Sequence, residues 1–261
     1  QSLDDDILRT LQRRHSAREA LAAVDTALAT GFQSVSADLM FALPGQSLER
    51  WRADLGTLAS RVAHISLYQL TLEPGTAMTR DVKAGRLKQP PEDTQAAMWD
   101  AVDELDGLER YEISNLARPG HESRHNTSYW LGQPYIGLGA GAHSFLPPRR
   151  WADDAVAVRS SARKHHSTYA RQSIAGESVC VFREEVDRDI HLRERMFTGL
   201  RYLPGLDIDA IQTELGLDPR VVFRKPLSWL EAEGLVEWSG PRLKLTTRGI
   251  RLADTVSEQF F

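Results

Sequence analysis

Two apolar runs, each stopped by Pro-Gly and separated by one amphipathic helix, constrain this 261-residue chain most. They are "SVSADLMFALPG", ending at Pro44-Gly45, and "HISLYQLTLEPGT", which stops at Pro74-Gly75. Mostly apolar stretches of this length, closed by turn residues, read as strands buried on both faces. Between them, Ser47 to Ser60 reads as a helix with Trp51, Leu55 and Leu58 turned inward. Upstream, Ser16 and Glu19 have the spacing of a capping box. The helix they open puts Leu21, Val24 and Leu28 on one face and closes at Gly31. Helix, strand, helix, strand predicts parallel βαβ units, hence an α/β fold. Ligands in such folds gather at the carboxyl ends of the strands, here around 38–46 and 71–76.

Beyond this core, "PPEDTQAAMWDAVDELDG" predicts another helix and "RYEIS" a short strand. Residues 147–186 are polar and weakly periodic and read as an excursion or linker. From 187 the pattern changes to three helices and two short strands around Ser239-Gly240, then a last helix. That arrangement predicts a small winged-helix-like α+β domain, so the expected division is 1–146, 147–186 and 187–261.

The single cysteine, Cys180, excludes an internal disulfide framework and cannot hold a cluster that wants three or four thiolates. No run of about 18 apolar residues spans a membrane, and the opening "QSLDDDILRT" is no signal peptide. A formal net charge of −4 offers no global attraction to nucleic acid. A cytoplasmic protein that does not bind nucleic acid is the expectation.

Several residues admit two readings. Asp38, within an apolar strand, either accepts hydrogen bonds from a ligand or caps the next turn. "GLGAGAHS", with His143 directly after it, lets a ligand approach the backbone or simply makes a tight turn. Arg159, Arg163, Lys164, His165 and His166 could meet carboxylates or form a solvated loop. Arg220, Arg224 and Lys225 would face DNA in a winged helix, but Glu231 and Glu233 dilute that face. In "HNTSYW", helical spacing sets His125 over Tyr129 and Asn126 over Trp130. The histidine is a metal or cofactor ligand, or it packs.

Taken together, "QSLDDDILRTLQRRH", "DLMFALPGQSLERW", "ISLYQLTLEPGT", "YEISNLARPG", "HNTSYW" and "YIGLGAGAHSF" resemble the HemW-like branch of radical SAM proteins. That branch is related to oxygen-independent coproporphyrinogen III oxidase. The resemblance implies the C-terminal portion of a partial (β/α) barrel followed by the winged-helix-like tail. Residues Gln1, Arg13 and Asp38 match positions that contact S-adenosyl-L-methionine (SAM). Thr71 and His143 match positions where the backbone nears the nucleoside or a second ligand. The C-x-x-x-C-x-x-C motif that holds the family's [4Fe–4S] cluster is not in this chain, which implies a piece of a longer product. An unpaired strand edge near Val35, and lower stability than the longer form, would result.

Two departures stand out: Gln12, where many members have glycine before the arginine, and Leu3, where phenylalanine is common. "HNTSYW" matches the H-N-x-x-Y-W motif of the heme-chaperone type. It makes His125 the implied axial ligand to heme iron, with Tyr129 and Trp130 as flat walls. The implied partners are heme or a porphyrin, a heme-accepting protein, and peripherally membrane proteins. The implied function is heme binding and delivery. The alternative is SAM-dependent oxidation of coproporphyrinogen III in porphyrin biosynthesis.

Overall fold

The computed structural model describes residues 1–147 and 155–261, which form two compact units, 1–122 and 123–261. The first contains α1 (Asp5–Thr10), α2 (Ala17–Ala29), β1 (Ser36–Phe41), α3 (Leu48–Ala59) and β2 (His64–Gln69). It continues through α4 (Ala77–Lys83), α5 (Glu92–Asp100), β3 (Glu109–Glu112) and β4 (Asn115–Ala117). The sheet order is β1-β2-β4-β3.

β1 and β2 run parallel with α3 as the crossover, as the spacing predicts. β1 is open on one face, where Ser36 and Asp38 are exposed, whereas β2 is buried on both faces from His64 to Leu67 as expected. Leu39, Phe41, Ile65 and Leu67 enter the core with Trp51, Leu55, Leu58 and Met98. The opposite face carries Ser36, Asp38, His64 and Ser66, paired Ser36 to His64 and Asp38 to Ser66. Trp51 is fully buried and donates its indole N–H to the Met98 carbonyl at 2.7 Å, joining α3 to α5. Burying one such side chain stabilises by roughly 1.5–3 kcal/mol.

The two remaining strands break the parallel pattern. "RYEIS" opens β3, which turns into β4, and β4 runs antiparallel to β2. A hairpin closes on itself without a crossover helix, and three-residue β4 leaves no periodic signal in the sequence. Ser16 and Glu19 do form the capping box of α2, although Leu28 at its end stays 38% exposed.

The second unit contains α6 (Arg124–Trp130), β5 (His143–Leu146), β6 (Ala155–Ala162), α7 (His166–Ile174), β7 (Cys180–Asp187) and α8 (Arg188–Gly199). After these come β8 (Leu206–Asp207), α9 (Ile208–Leu215), α10 (Pro219–Val222), α11 (Arg224–Ala232), β9 (Val236–Ser239), β10 (Arg242–Leu245), α12 (Thr247–Arg251) and α13 (Ala253–Glu258). Two three-stranded sheets result, β5-β6-β7 and β8-β10-β9.

The expected excursion over 147–186 is therefore structured across 155–186, with 148–154 outside the described residues. Its strands pair antiparallel, and its polar residues find partners: Arg159 binds Glu184 and Glu194. A half-exposed sheet bonded through such pairs shows weak hydrophobic periodicity, which is why it reads as a linker. The two compact units divide at 122–123. α6 packs against α8, and Tyr135 pairs with Phe145 of β5, so "HNTSYW" belongs to the second unit.

Candidate functional site

In the first unit the matched residues collect around the polar face of β1. The Gln1 carbonyl accepts from the Met40 N–H, drawing the chain's first residues along the outer edge of β1. Ser2 Oγ and the Leu3 N–H both donate to the buried carboxylate of Asp54, each at 2.9 Å, which fixes that segment to α3. The Gln1 amino group is held below its ordinary pKa, first by burial and then by Arg13, while Asp38 pulls the other way. Arg13 and Asp38 thus both stand near Gln1.

Asp38 is exposed, so the burial penalty expected from its apolar strand does not arise. Gln1 Oε1 is buried without a hydrogen-bond partner, an orphaned acceptor beside an exposed guanidinium and an exposed carboxylate. Arginine, aspartate and amide supply what an amino-acid carboxylate, ribose hydroxyls and an amine require, so these side chains fit SAM. Thr71 is exposed in the loop after β2, and no hydrogen bond or ion pair among the described residues joins it to the other three.

Sequence reasoning missed the network beside them. His64 bonds Ser36 Oγ through Nδ1 at 2.7 Å and the Tyr111 hydroxyl through Nε2 at 2.8 Å. Burial lowers its pKa. The polar alternation Ser36, Asp38 and His64, Ser66 was the available signal. Gln46 was also missed; it accepts from the Leu43 N–H and donates to the Met40 carbonyl, bracing the turn after β1.

In the second unit, Ser123 caps α6 by accepting from the Asn126 N–H. The helix sets the exposed His125 ring edge-on to Tyr129, centroids 4.7 Å apart. Tyr129, 37% exposed, stands edge-on to Tyr135 at 4.6 Å. The rings continue from Tyr135 to Phe145 at 6.3 Å and to the buried His191 at 5.3 Å. Burial, then Tyr129, raises the Tyr135 pKa, so its hydroxyl stays protonated. Trp130 differs from its neighbours. It is half-buried, its indole N–H is enclosed, and Arg201 lies over its ring at 5.3 Å. Tyr135 was not among the sequence candidates, because only the chain reversal between 130 and 145 brings it to Tyr129.

The remaining candidates take local roles. His165 accepts from the Thr168 N–H at the start of α7, and Arg163 bonds Gln172. Arg220 pairs with Asp209 and Asp218 and lies over Trp238. His143 is exposed on β5, within the second unit. Among the described residues no three His, Cys, Asp or Glu side chains gather as a metal site, and none of the helices is long and apolar enough to cross a membrane.

Residues 186–252 match the HemN C-terminal domain. The whole chain superposes on coproporphyrinogen III oxidase (HemN) from Escherichia coli with a TM-score of 0.77 at 20% identity, covering 62% of that structure. The chain accordingly has the mixed α/β fold of that structure. The chain is 33% identical to the heme chaperone HemW of Bacillus subtilis over all of its own length and 67% of that relative's. It is 36% identical to HemW of Mycobacterium tuberculosis, covering 98% of this chain and 62% of the relative. The chain belongs to the HemW heme chaperone family. It spans about two thirds of the length of these curated relatives.

Proposed function

We propose that this protein binds heme through His125 and hands it to a recipient protein. The observation that carries the reading is the exposed His125 imidazole, edge-on to a half-exposed Tyr129 that leans on Tyr135. Imidazole is a natural axial ligand for heme iron, and aromatic faces suit a porphyrin. An exposed ligand also suits transfer, since a recipient can reach the iron without unfolding the donor. The relatives named HemW favour this over coproporphyrinogen oxidation.

In the same reading the first unit is part of a (β/α) barrel, and residues from 187 onward form a winged-helix-like domain. Gln1, Arg13 and Asp38 would hold SAM at the polar face of β1, with Thr71 at its rim. SAM and a [4Fe–4S] cluster would supply electron-transfer chemistry, although Cys180 alone is not the thiolate set such a cluster takes. The exposed free thiol of Cys180 suits a reducing compartment such as the cytoplasm.

A hemin titration followed by absorbance, on this chain and on His125→Ala, tests the proposal. Stoichiometric binding that weakens about tenfold or more in the variant is expected. Equal binding in both, or none in either, would return α6 to a packed surface helix.

A further inference from the structure

We infer that the pocket between α11 and β9 holds the C-terminal end of a partner's polypeptide chain, one that finishes in an apolar residue. The inference is independent of the heme reading at α6. An open pocket of about 280 Å³ lies there, lined by Arg220, Arg224, Leu227, Ser228, Glu231 and Trp238. Arg224, Leu227, Ser228 and Glu231 follow helical spacing, so α11 turns them to one side. Trp238, half-buried on β9, forms the facing wall.

Three of the lining residues are already tied down. The Trp238 indole N–H donates to Glu231 Oε1, and Arg220 lies over the Trp238 ring at 5.5 Å. Arg220 is itself paired with Asp209 of α9 and with Asp218 at the start of α10. Its charge is thus neutralised, and the aromatic wall is braced from two sides. Arg224 and Ser228 differ. Both are exposed, and neither side chain has a hydrogen-bond, ion-pair or ring partner among the described residues. Four residues apart, they set a free guanidinium and a free hydroxyl on one turn of helix, beside the buried Leu227.

That set selects its occupant. A guanidinium and a hydroxyl together donate to a carboxylate. Leu227 and the Trp238 ring accept an apolar side chain. Glu231, with one oxygen engaged by Trp238, has the other to accept an N–H. It lies seven residues beyond Arg224, roughly 10 Å along the helix axis. Three residues of extended chain cover about that length. A carboxylate, an apolar side chain and then backbone N–H groups occur in that order at the end of a peptide chain. A phosphodiester backbone suits Arg224 but meets like charge at Glu231 and at Asp209 and Asp218, two carboxylates against the single charge of Arg220.

The test follows the Trp238 indole N–H signal of the whole chain by nuclear magnetic resonance, with Trp238→Phe identifying the peak. The probes are an acetylated tetrapeptide ending in phenylalanine with a free carboxylate, the same peptide amidated at that carboxyl, N-acetylphenylalanine, and a short DNA duplex. The free-acid peptide should shift the peak with a Kd below about 1 mM, and the amide should bind about tenfold more weakly. N-acetylphenylalanine, too short to reach Glu231, should bind about threefold or more below the free-acid peptide. Arg224→Gln should erase the difference between acid and amide, while Lys225→Gln, outside the pocket, should leave it within about twofold.

Equal binding of acid and amide by wild type overturns the inference, as does the lack of any shift at about 10 mM peptide. So does an equal loss in Lys225→Gln, which would mark general charge attraction. N-acetylphenylalanine binding as tightly as the tetrapeptide would give the pocket to a small carboxylate. A duplex whose binding Arg224→Gln abolishes would give it to nucleic acid. Either result overturns the peptide assignment.

Discussion

The Met40 N–H donates to the Gln1 carbonyl at 2.8 Å, so the edge of β1 that faces away from β2 is met by the first residue of the chain. The unpaired edge expected near Val35 is thus partly answered from within the sequence. What holds Gln1 there is Asp54, through Ser2 and Leu3.

Removing that carboxylate should release the segment. Asp54→Ala is expected to destabilise the chain by about 2–3 kcal/mol, because it leaves a buried hydroxyl and a backbone N–H without an acceptor. Chemical denaturation gives the magnitude, and hydrogen exchange at the Met40 amide gives the mechanism. Unchanged protection of Met40 would show that Gln1 is held by something else.

Gln12 ends α1 with φ of 56°, a left-handed conformation that favours glycine. Its N–H reaches the Arg9 carbonyl and that of Arg13 reaches Leu8, a Schellman closure with a side chain where glycine is usual. The departure from the family pattern is therefore a point of strain. Gln12→Gly should stabilise by about 1 kcal/mol. A lower melting temperature in the variant would contradict this.

The His191 imidazole is held down to about 4, by burial first and then by the nearby Arg195. The ordinary value is about 6.5. A depressed base contributes its full stability above about 6.5, where it is neutral in both states. As pH falls from there toward 4, only the unfolded chain takes up the proton. The loss should reach roughly 3 kcal/mol and then level off. Urea midpoints at a series of pH values should fall more steeply for wild type than for His191→Phe; parallel profiles would refute the assignment.

Gly137 meets the His143 backbone so closely that Gly137→Ala must shift β5. The neighbour is main chain and cannot rotate away, so a loss of about 2–3 kcal/mol is expected in thermal or chemical unfolding. A loss under about 0.5 kcal/mol would mean that the loop adjusts without moving the strand.

Local rules made much of the first unit legible. Ser47 and Ser60 bracket α3 as predicted, and Trp51, Leu55 and Leu58 are buried where the period puts them. The hairpin β9–β10 turns at Ser239-Gly240. Each depends on contacts within a few residues or on helical spacing, and the chain carries that information directly. The β5-β6-β7 sheet was not legible. Its strands pair residues 12 to 32 positions apart, and several of those pairs, such as Arg159 with Glu184, join polar groups.

The candidate site divides in the same way. The sequence alone determined that His125 and Tyr129 share a helical stripe, because 3.6 residues per turn requires it. It also determined that one cysteine cannot hold a cluster. Only the tertiary structure decided that Trp130 turns in beneath Arg201, that Tyr135 supports Tyr129, and that Tyr135 pairs with Phe145. Those relations come from a chain reversal and a strand register, set by pairing energies between residues that no local pattern connects.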